Sequence, residues 1–238
     1  MLTAQRGSGN AGINIRLVAA ASFRSTDQHP RLRMSDRQHF IVGISGATGV
    51  VYGVRLLQAL RQAGIQTHLV VSRAGEMTRT AETSMKAKDL RALADHAYAL
   101  ADLAAPIASG SFRTLGMVVA PCSVRSLSEI ATGVTSTLLT RAADVVLKER
   151  RRLVLLVRET PLHLGHLRSM VAATEMGAII APPVPAFYSQ PQTLEDMVDH
   201  TVGRVLDLFS IEHALVKRWG APAPDSLSTI TAETGTCR

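Results

Sequence analysis

Residues 40–60 read Phe40-Ile41-Val42-Gly43-Ile44-Ser45-Gly46-Ala47-Thr48-Gly49-Val50-Val51-Tyr52-Gly53-Val54-Arg55-Leu56-Leu57-Gln58-Ala59-Leu60. A short apolar run leads into a glycine-rich turn, after which Val50, Val54, Leu57 and Leu60 recur at helical spacing. A buried strand, a tight turn and a helix with one apolar face satisfy that order. The turn brings main-chain N–H groups and the Ser45 and Thr48 hydroxyls to a helix start, where the dipole favours an anion. The unit is therefore expected to hold the phosphate end of a nucleotide-type ligand. Its glycines fall at 43, 46 and 49, which is not the Gly-x-Gly-x-x-Gly spacing, and no Lys-Ser/Thr pair closes the turn as in a P-loop.

Working outward, Gly64 is placed to end the helix, and Thr67-His68-Leu69-Val70-Val71-Ser72 reads as a second buried strand. Further strand-like runs lie at Met117 to Ala120, Leu153 to Val157 and Ala178 to Ala181, with helical stretches beginning near Ser123, Leu162 and Thr193. In the last of these, Thr193 and Asp196 are spaced for a capping arrangement, and Leu194, Met197, Val198, Thr201, Val202, Val205 and Leu208 form one stripe. Strands alternating with helices predict a three-layer, doubly wound α/β fold with a parallel sheet, Rossmann- or flavodoxin-like, in a single domain. Ser72 ends the second strand where a dinucleotide fold would carry an acid for the ribose, so a mononucleotide such as FMN fits better than NAD.

A chain of 238 residues with 46% apolar content can bury one substantial core. We expect that domain at residues 39–220. Residues 1–38 are expected to be disordered or a misassigned extension with Met34 opening the folded protein, although their arginines also resemble an organelle-targeting presequence. Residues 221–238 are expected to form a flexible tail. Of the formal charge of +7, residues 1–33 contribute +4 through Arg6, Arg16, Arg24, Arg31 and Arg33 against Asp27, leaving +3 elsewhere. With only 4% aromatic residues and no basic run interleaved with them, nucleic acid is excluded as a partner. Cys122 and Cys237 suggest no disulfide framework or zinc spacing, and no apolar run reaches the roughly 18–20 residues of a membrane span. A cytoplasmic location is expected.

Ligands in such sheets sit beyond the carboxyl ends of the strands. There, Pro121-Cys122-Ser123 could offer a hydroxyl and amide cradle, with Ser123 as a helix cap and Cys122 as a packing thiol rather than a nucleophile. Arg158-Glu159 places a charge pair directly after a buried strand: a guanidinium for an anion and a carboxylate for proton transfer. Arg141, Lys148, Arg150, Arg151 and Arg152 form a basic run on or just after one helix. His163 and His166 are spaced as a metal pair could be, but no third ligand is evident, so a non-metal role is expected. Tyr188 lies in the proline-rich loop 182–188, a candidate lid, and Arg204 stands at the margin of the last helix's stripe.

Taken together, residues 43–49, 142–151 (Ala-Ala-Asp-Val-Val-Leu-Lys-Glu-Arg-Arg), 158–163 (Arg-Glu-Thr-Pro-Leu-His) and 182–192 resemble the flavin prenyltransferase family of the UbiX type, over about 40–220. The resemblance implies a metal-independent transferase that joins the dimethylallyl group of dimethylallyl phosphate to N5 and then C6 of reduced FMN. Prenylated FMN would serve a UbiD-type decarboxylase, and the enzyme would be a homo-oligomer, a dodecamer. By position, Gly46, Ala47, Thr48, Ser72, Cys122, Ser123, Val124, Arg125 and Arg158 would contact flavin. Lys148, Arg158, Glu159, Tyr188 and Arg204 would hold the prenyl phosphate, with Arg141, Glu82 and Trp219 nearby, and Glu159, Lys148, Thr48 and Arg158 would carry the chemistry. Thr48 stands where many relatives have Ser. The competing readings are a non-catalytic FMN carrier subunit and a flavin-dependent cysteine decarboxylase. The latter should show Pro-Ala-Ser-Ala-Asn-Thr, whereas residues 121–126 are Pro-Cys-Ser-Val-Arg-Ser.

Overall fold

A computed structural model describes residues 38–216. The expectations for residues 1–37, for Trp219 and for the tail at 221–238 lie outside the described residues. Six parallel strands, β1 (His39–Ile44), β2 (Gln66–Val71), β3 (His96–Tyr98), β4 (Gly116–Cys122), β5 (Arg152–Val157) and β6 (Ala178–Ile180), form one sheet in the order β3-β2-β1-β4-β5-β6. The order reverses between β1 and β4, so the loops leaving these two strands part and leave a crevice. The doubly wound fold expected from the sequence is therefore present.

Each inner strand buries both faces, which is why the strands read as apolar runs rather than as alternations. Helices α1 (Val50–Gln62) and α7 (Leu194–Leu208) cover one face, packing Leu56, Leu57, Leu60, Val202 and Leu206 on Val42, Val118 and Val154. On the other face α4 (Val124–Ala131), α5 (Leu138–Lys148) and α6 (Leu164–Glu175) pack Leu127, Leu139, Val146 and Ala173 on Ile41, Val119 and Leu155. Arg55 clamps α1 to α7 through both oxygens of Asp199, at 2.5 and 3.1 Å.

Local signals act as their chemistry requires. Gly64 takes φ 71° after α1, and Thr193 with Asp196 forms a reciprocal capping box at the start of α7. Two elements differ from expectation. The single helix read after β4 is two, α4 and α5, broken at Thr132–Gly133 and restarted by a Thr137–Thr140 capping box. The three-residue β3, together with α2 (Arg73–Glu82) and α3 (Ala87–Arg91), lacks an apolar run of its own. Among the described residues no helix is long and apolar enough to cross a membrane.

At the amino-terminal end of the sheet, His68 is buried with both ring nitrogens engaged, Nε2 with His39 Nδ1 at 3.0 Å and Nδ1 with the Tyr98 hydroxyl at 2.9 Å. Burial, and then the imidazoles of His96 and His39, push its pKa from 6.5 down to about 4, with Asp95 opposing. In the unfolded chain the same ring protonates near 6.5, so the unfolded state takes up the proton first. The contribution of neutral His68 is complete above that pH and is lost progressively as pH falls from about 6.5 to 4. Urea unfolding from pH 7 to 4.5 should show this decline, and His68→Gln should flatten it. An unchanged slope in the variant would assign the decline to other groups.

Candidate active site at the strand crossover

The glycine-rich turn is held in place from below. Ser45 is fully buried; its N–H and hydroxyl both donate to the Pro121 carbonyl at 3.1 Å, and its Oγ accepts from Ser123 N–H at 2.8 Å. One side chain thus ties the loop after β1 to the loop after β4 across the crossover. Ser72 N–H donates to the Ile44 carbonyl and Arg158 N–H to the Cys122 carbonyl, fixing the ends of β2 and β5 beside them. Gly46 has no room for a side chain, because a Cβ there would lie 2.2 Å from Ala74 Cβ. That close approach lets the turn and the first residues of α2 share a wall.

A cavity of about 440 Å³ opens between these loops. Gly46, Ser72, Arg73 and Ala74 form one side, Ser123, Arg125, Ser126 and Glu129 another, and Leu100, Ala101, Ser136, Thr137, Leu139 and Thr140 close it. The volume falls in the range of small-molecule sites, about 300–1,000 Å³. The lining combines apolar wall for a flat ring with hydroxyls for its polar edge, and the starts of α2 and α4 open onto it. The Ser72 and Ser123 hydroxyls cap those helices, accepting from Gly75 N–H at 2.9 Å and Ser126 N–H at 3.2 Å. These residues fit a flavin mononucleotide: hydroxyl donors, an apolar wall, two helix starts and two guanidinium groups.

Four of the expected flavin contacts, Gly46, Ser72, Ser123 and Arg125, line this cavity. Ala47 and Thr48 lie in the same turn as Gly46 and Val124 opens α4, none of them lining the cavity, with Thr48 on the exposed side. Cys122 is placed differently. It has no exposed surface, and burial pushes its thiol up to about 12, so it packs the core as the expected packing thiol rather than as a ready nucleophile. The expected anion position at the start of α1 is also taken. The Glu82 carboxylate accepts from Gly49 N–H and Val50 N–H, all at 3.0 Å, and so supplies the negative charge that a phosphate was expected to bring. Glu82 thus caps α1, and the separation of 33 residues hides that contact from the sequence.

The remaining candidates fall into separate groups. Arg158 is exposed and Glu159 half-buried directly after β5, at the same end of the sheet as the cavity. Arg158 lies close enough to Tyr52 on α1 to oppose, with its charge, the rise that burial imposes on that phenol. Tyr188 and Arg204 gather about His200: the Tyr188 hydroxyl is 3.2 Å from His200 Nε2, and Arg204 lines with His200 a second hollow of about 270 Å³. Arg204 also pairs with Asp207 at 2.8 Å. Arg141 pairs with Asp144 at 2.7 Å on α5.

Lys148 stands apart from all of these. Helix α5 begins at the cavity with Thr137 and Thr140 and runs away from it for 11 residues, about 15 Å. Lys148, at its far end, pairs with Glu149 at 2.5 Å beside the start of β5. Lys148 and Arg204 also ride on helices that cover opposite faces of the sheet. Of the residues expected to hold the prenyl phosphate, Glu159 follows β5, Tyr188 and Arg204 lie near His200, and Lys148 closes α5.

His163 and His166 stack with ring centroids 3.6 Å apart, and His163 Nδ1 accepts from Gly165 N–H to cap α6. No group of three metal-ligating side chains occurs among the described residues. The cavity also uses residues that the sequence did not single out: Arg73, Glu129, Ser136, Thr137 and Thr140. The Thr137–Thr140 capping box was a usable signal for two of them.

Residues 28–216 match the family described as Flavoprotein. The chain is 58% identical over 185 residues to the flavin prenyltransferase UbiX of Escherichia coli strain K12, covering 76% of this chain and 98% of that protein. A probable UbiX-like flavin prenyltransferase of Bacillus subtilis is 56% identical over 179 residues, 75% of this chain and 88% of that protein. Among solved structures, AnUbiX (PadA1) in complex with FMN and dimethylallyl pyrophosphate aligns at TM-score 0.77 and 47% identity, over 79% of this chain and all of that one. A dodecameric FMN-dependent UbiX-like decarboxylase from Escherichia coli O157:H7 aligns at 0.74 and 51%, over 76% and 99%. The cysteine decarboxylase TvaF, 18% identical at TM-score 0.50, shares the fold alone.

Proposed function

The chain belongs to the flavoprotein family and, within it, to the flavin prenyltransferases of the UbiX type, and from that premise we propose how its residues divide the work of joining a dimethylallyl group to FMN. The observation that carries the assignment of parts is the hydroxyl-lined cavity at the strand crossover, where Gly46, Ser72, Ser123 and Arg125 meet. When bound, reduced FMN supplies the nucleophilic N5 that takes the prenyl carbon, and C6 for the ring closure.

The chain's own groups do the rest. Ser72, Ser123, Ser126 and Thr140 hold the polar edge of the flavin, and Leu100 and Leu139 press on its ring. Lys148, Arg158, Tyr188 and Arg204 hold the phosphate of dimethylallyl monophosphate, and their donors strengthen as charge collects on it. Glu159 moves the proton that the second bond requires. Thr48 contributes one outer wall with its hydroxyl.

Because α5 carries Lys148 away from the cavity of its own chain, a neighbouring copy supplies it, in a homo-oligomer such as the dodecamer of the relative described above. Prenylated FMN then passes to a UbiD-type decarboxylase. A cytoplasmic location goes with this reading.

Anaerobic incubation with reduced FMN and dimethylallyl monophosphate should yield a flavin heavier by one prenyl unit on mass spectrometry. Because side-chain cations offset the departing phosphate, EDTA should leave the yield unchanged. Recovery of FMN alone, under conditions where a relative turns over, would overturn the assignment.

A further inference from the structure

The cavity at the crossover has two guanidinium groups on its lining, and they differ in what they already hold. Arg125, on the first turn of α4, pairs with Glu129 at 3.0 Å, and Glu129 also accepts from the Ser136 hydroxyl at 2.9 Å. Its charge is thus offset by a carboxylate one turn along its own helix. Arg73 opens α2, directly after the Ser72 cap. The acid on its own helix, Glu76, is taken by Arg79 at 2.8 Å and Arg91 at 3.3 Å. Among the described residues no carboxylate pairs with Arg73.

Position adds to this. Arg73 and Leu100 line both the main cavity and a smaller hollow of about 210 Å³ beside it, so Arg73 stands on the partition between the two. The α1 start, the other place for an anion near this turn, is filled by Glu82. A phosphate in the cavity therefore meets one unneutralised cation, at the amino end of a ten-residue helix.

We propose that Arg73 selects the phosphorylated flavin, distinguishing FMN from riboflavin by pairing with the phosphate. This rests on the FMN reading above and names the residue that enforces it. The oxidised flavins are the apt probes, because oxidised riboflavin is uncharged and differs from FMN by the phosphate alone.

Titration of the full chain with each flavin, followed by quenching of flavin fluorescence, tests the assignment. The wild type should bind FMN more tightly than riboflavin. Arg73→Ala should weaken FMN binding about 10- to 100-fold, the range of a charge-assisted contact, while riboflavin affinity stays within about twofold. Arg73→Lys should recover part of the loss, and Arg125→Ala should cost FMN less than Arg73→Ala does. Equal weakening of both flavins in Arg73→Ala would mark a merely structural role and overturn the proposal. So would an unchanged FMN affinity, or a preference lost in Arg125→Ala and kept in Arg73→Ala. A wild type that binds FMN and riboflavin equally overturns selection by phosphate while leaving the flavin site standing. A wild type that binds neither overturns the FMN reading itself.

Discussion

Glu159→Gln is expected to bind FMN as the wild type does and to form prenylated flavin about 100- to 10,000-fold more slowly, the range of a lost acid–base group. The amide keeps the size of the carboxylate and can still accept the Thr160 N–H bond that Glu159 Oε1 makes at 3.0 Å, so the loop after β5 should not shift. What the amide cannot do is take up or release a proton at neutral pH. The residue is half-buried directly after a buried strand, at the end of the sheet where the cavity opens. Anaerobic single-turnover mixing, with flavin absorbance for binding and mass spectrometry for product, separates the two effects. A variant that turns over at the wild-type rate would remove Glu159 from the chemistry. One that fails to bind FMN would instead make it a structural brace of the cavity.

The fold was legible because its decisive signals are local. An apolar run, a glycine turn and a helical period follow one another within residues 40–60, and Gly64 and Thr193–Asp196 act within a single turn of their helices. Strand β3 and helices α2 and α3 were not legible, because three residues at a sheet edge need no apolar run. The site was half legible for the same reason. Ser72 and Ser123 could be placed because they end strands, whereas the Glu82 cap on α1 depends on a contact 33 residues away. Cys122 was legible as a packing thiol, and it pairs with Val157 in the sheet and faces the core. Motif resemblance singled out Lys148 and Arg204 without saying where they point, and α5 carries Lys148 to its end away from the cavity of its own chain.

That separation makes the last prediction the most demanding. Lys148→Ala and Glu159→Gln chains, each assembled alone, should both lose nearly all turnover: the first lacks a cation on the leaving phosphate, worth about 10- to 1,000-fold, and the second lacks the proton-transfer group. If the lysine at each cavity comes from a neighbouring copy, a mixed oligomer contains some sites in which a normal Glu159 meets a normal Lys148. In an equal random mixture about one site in four would be so composed, since the two residues are then drawn independently from two equal pools. Unfolding and refolding the two variants together should therefore restore about a quarter of wild-type activity, while the separately refolded variants combined afterwards stay inactive. If both residues of a site belonged to one chain, every chain would carry one defect and mixing would restore nothing. The outcome thus decides between a site contained in one chain and one shared between copies. For a lysine at the far end of an 11-residue helix from its own cavity, helix length favours the shared site.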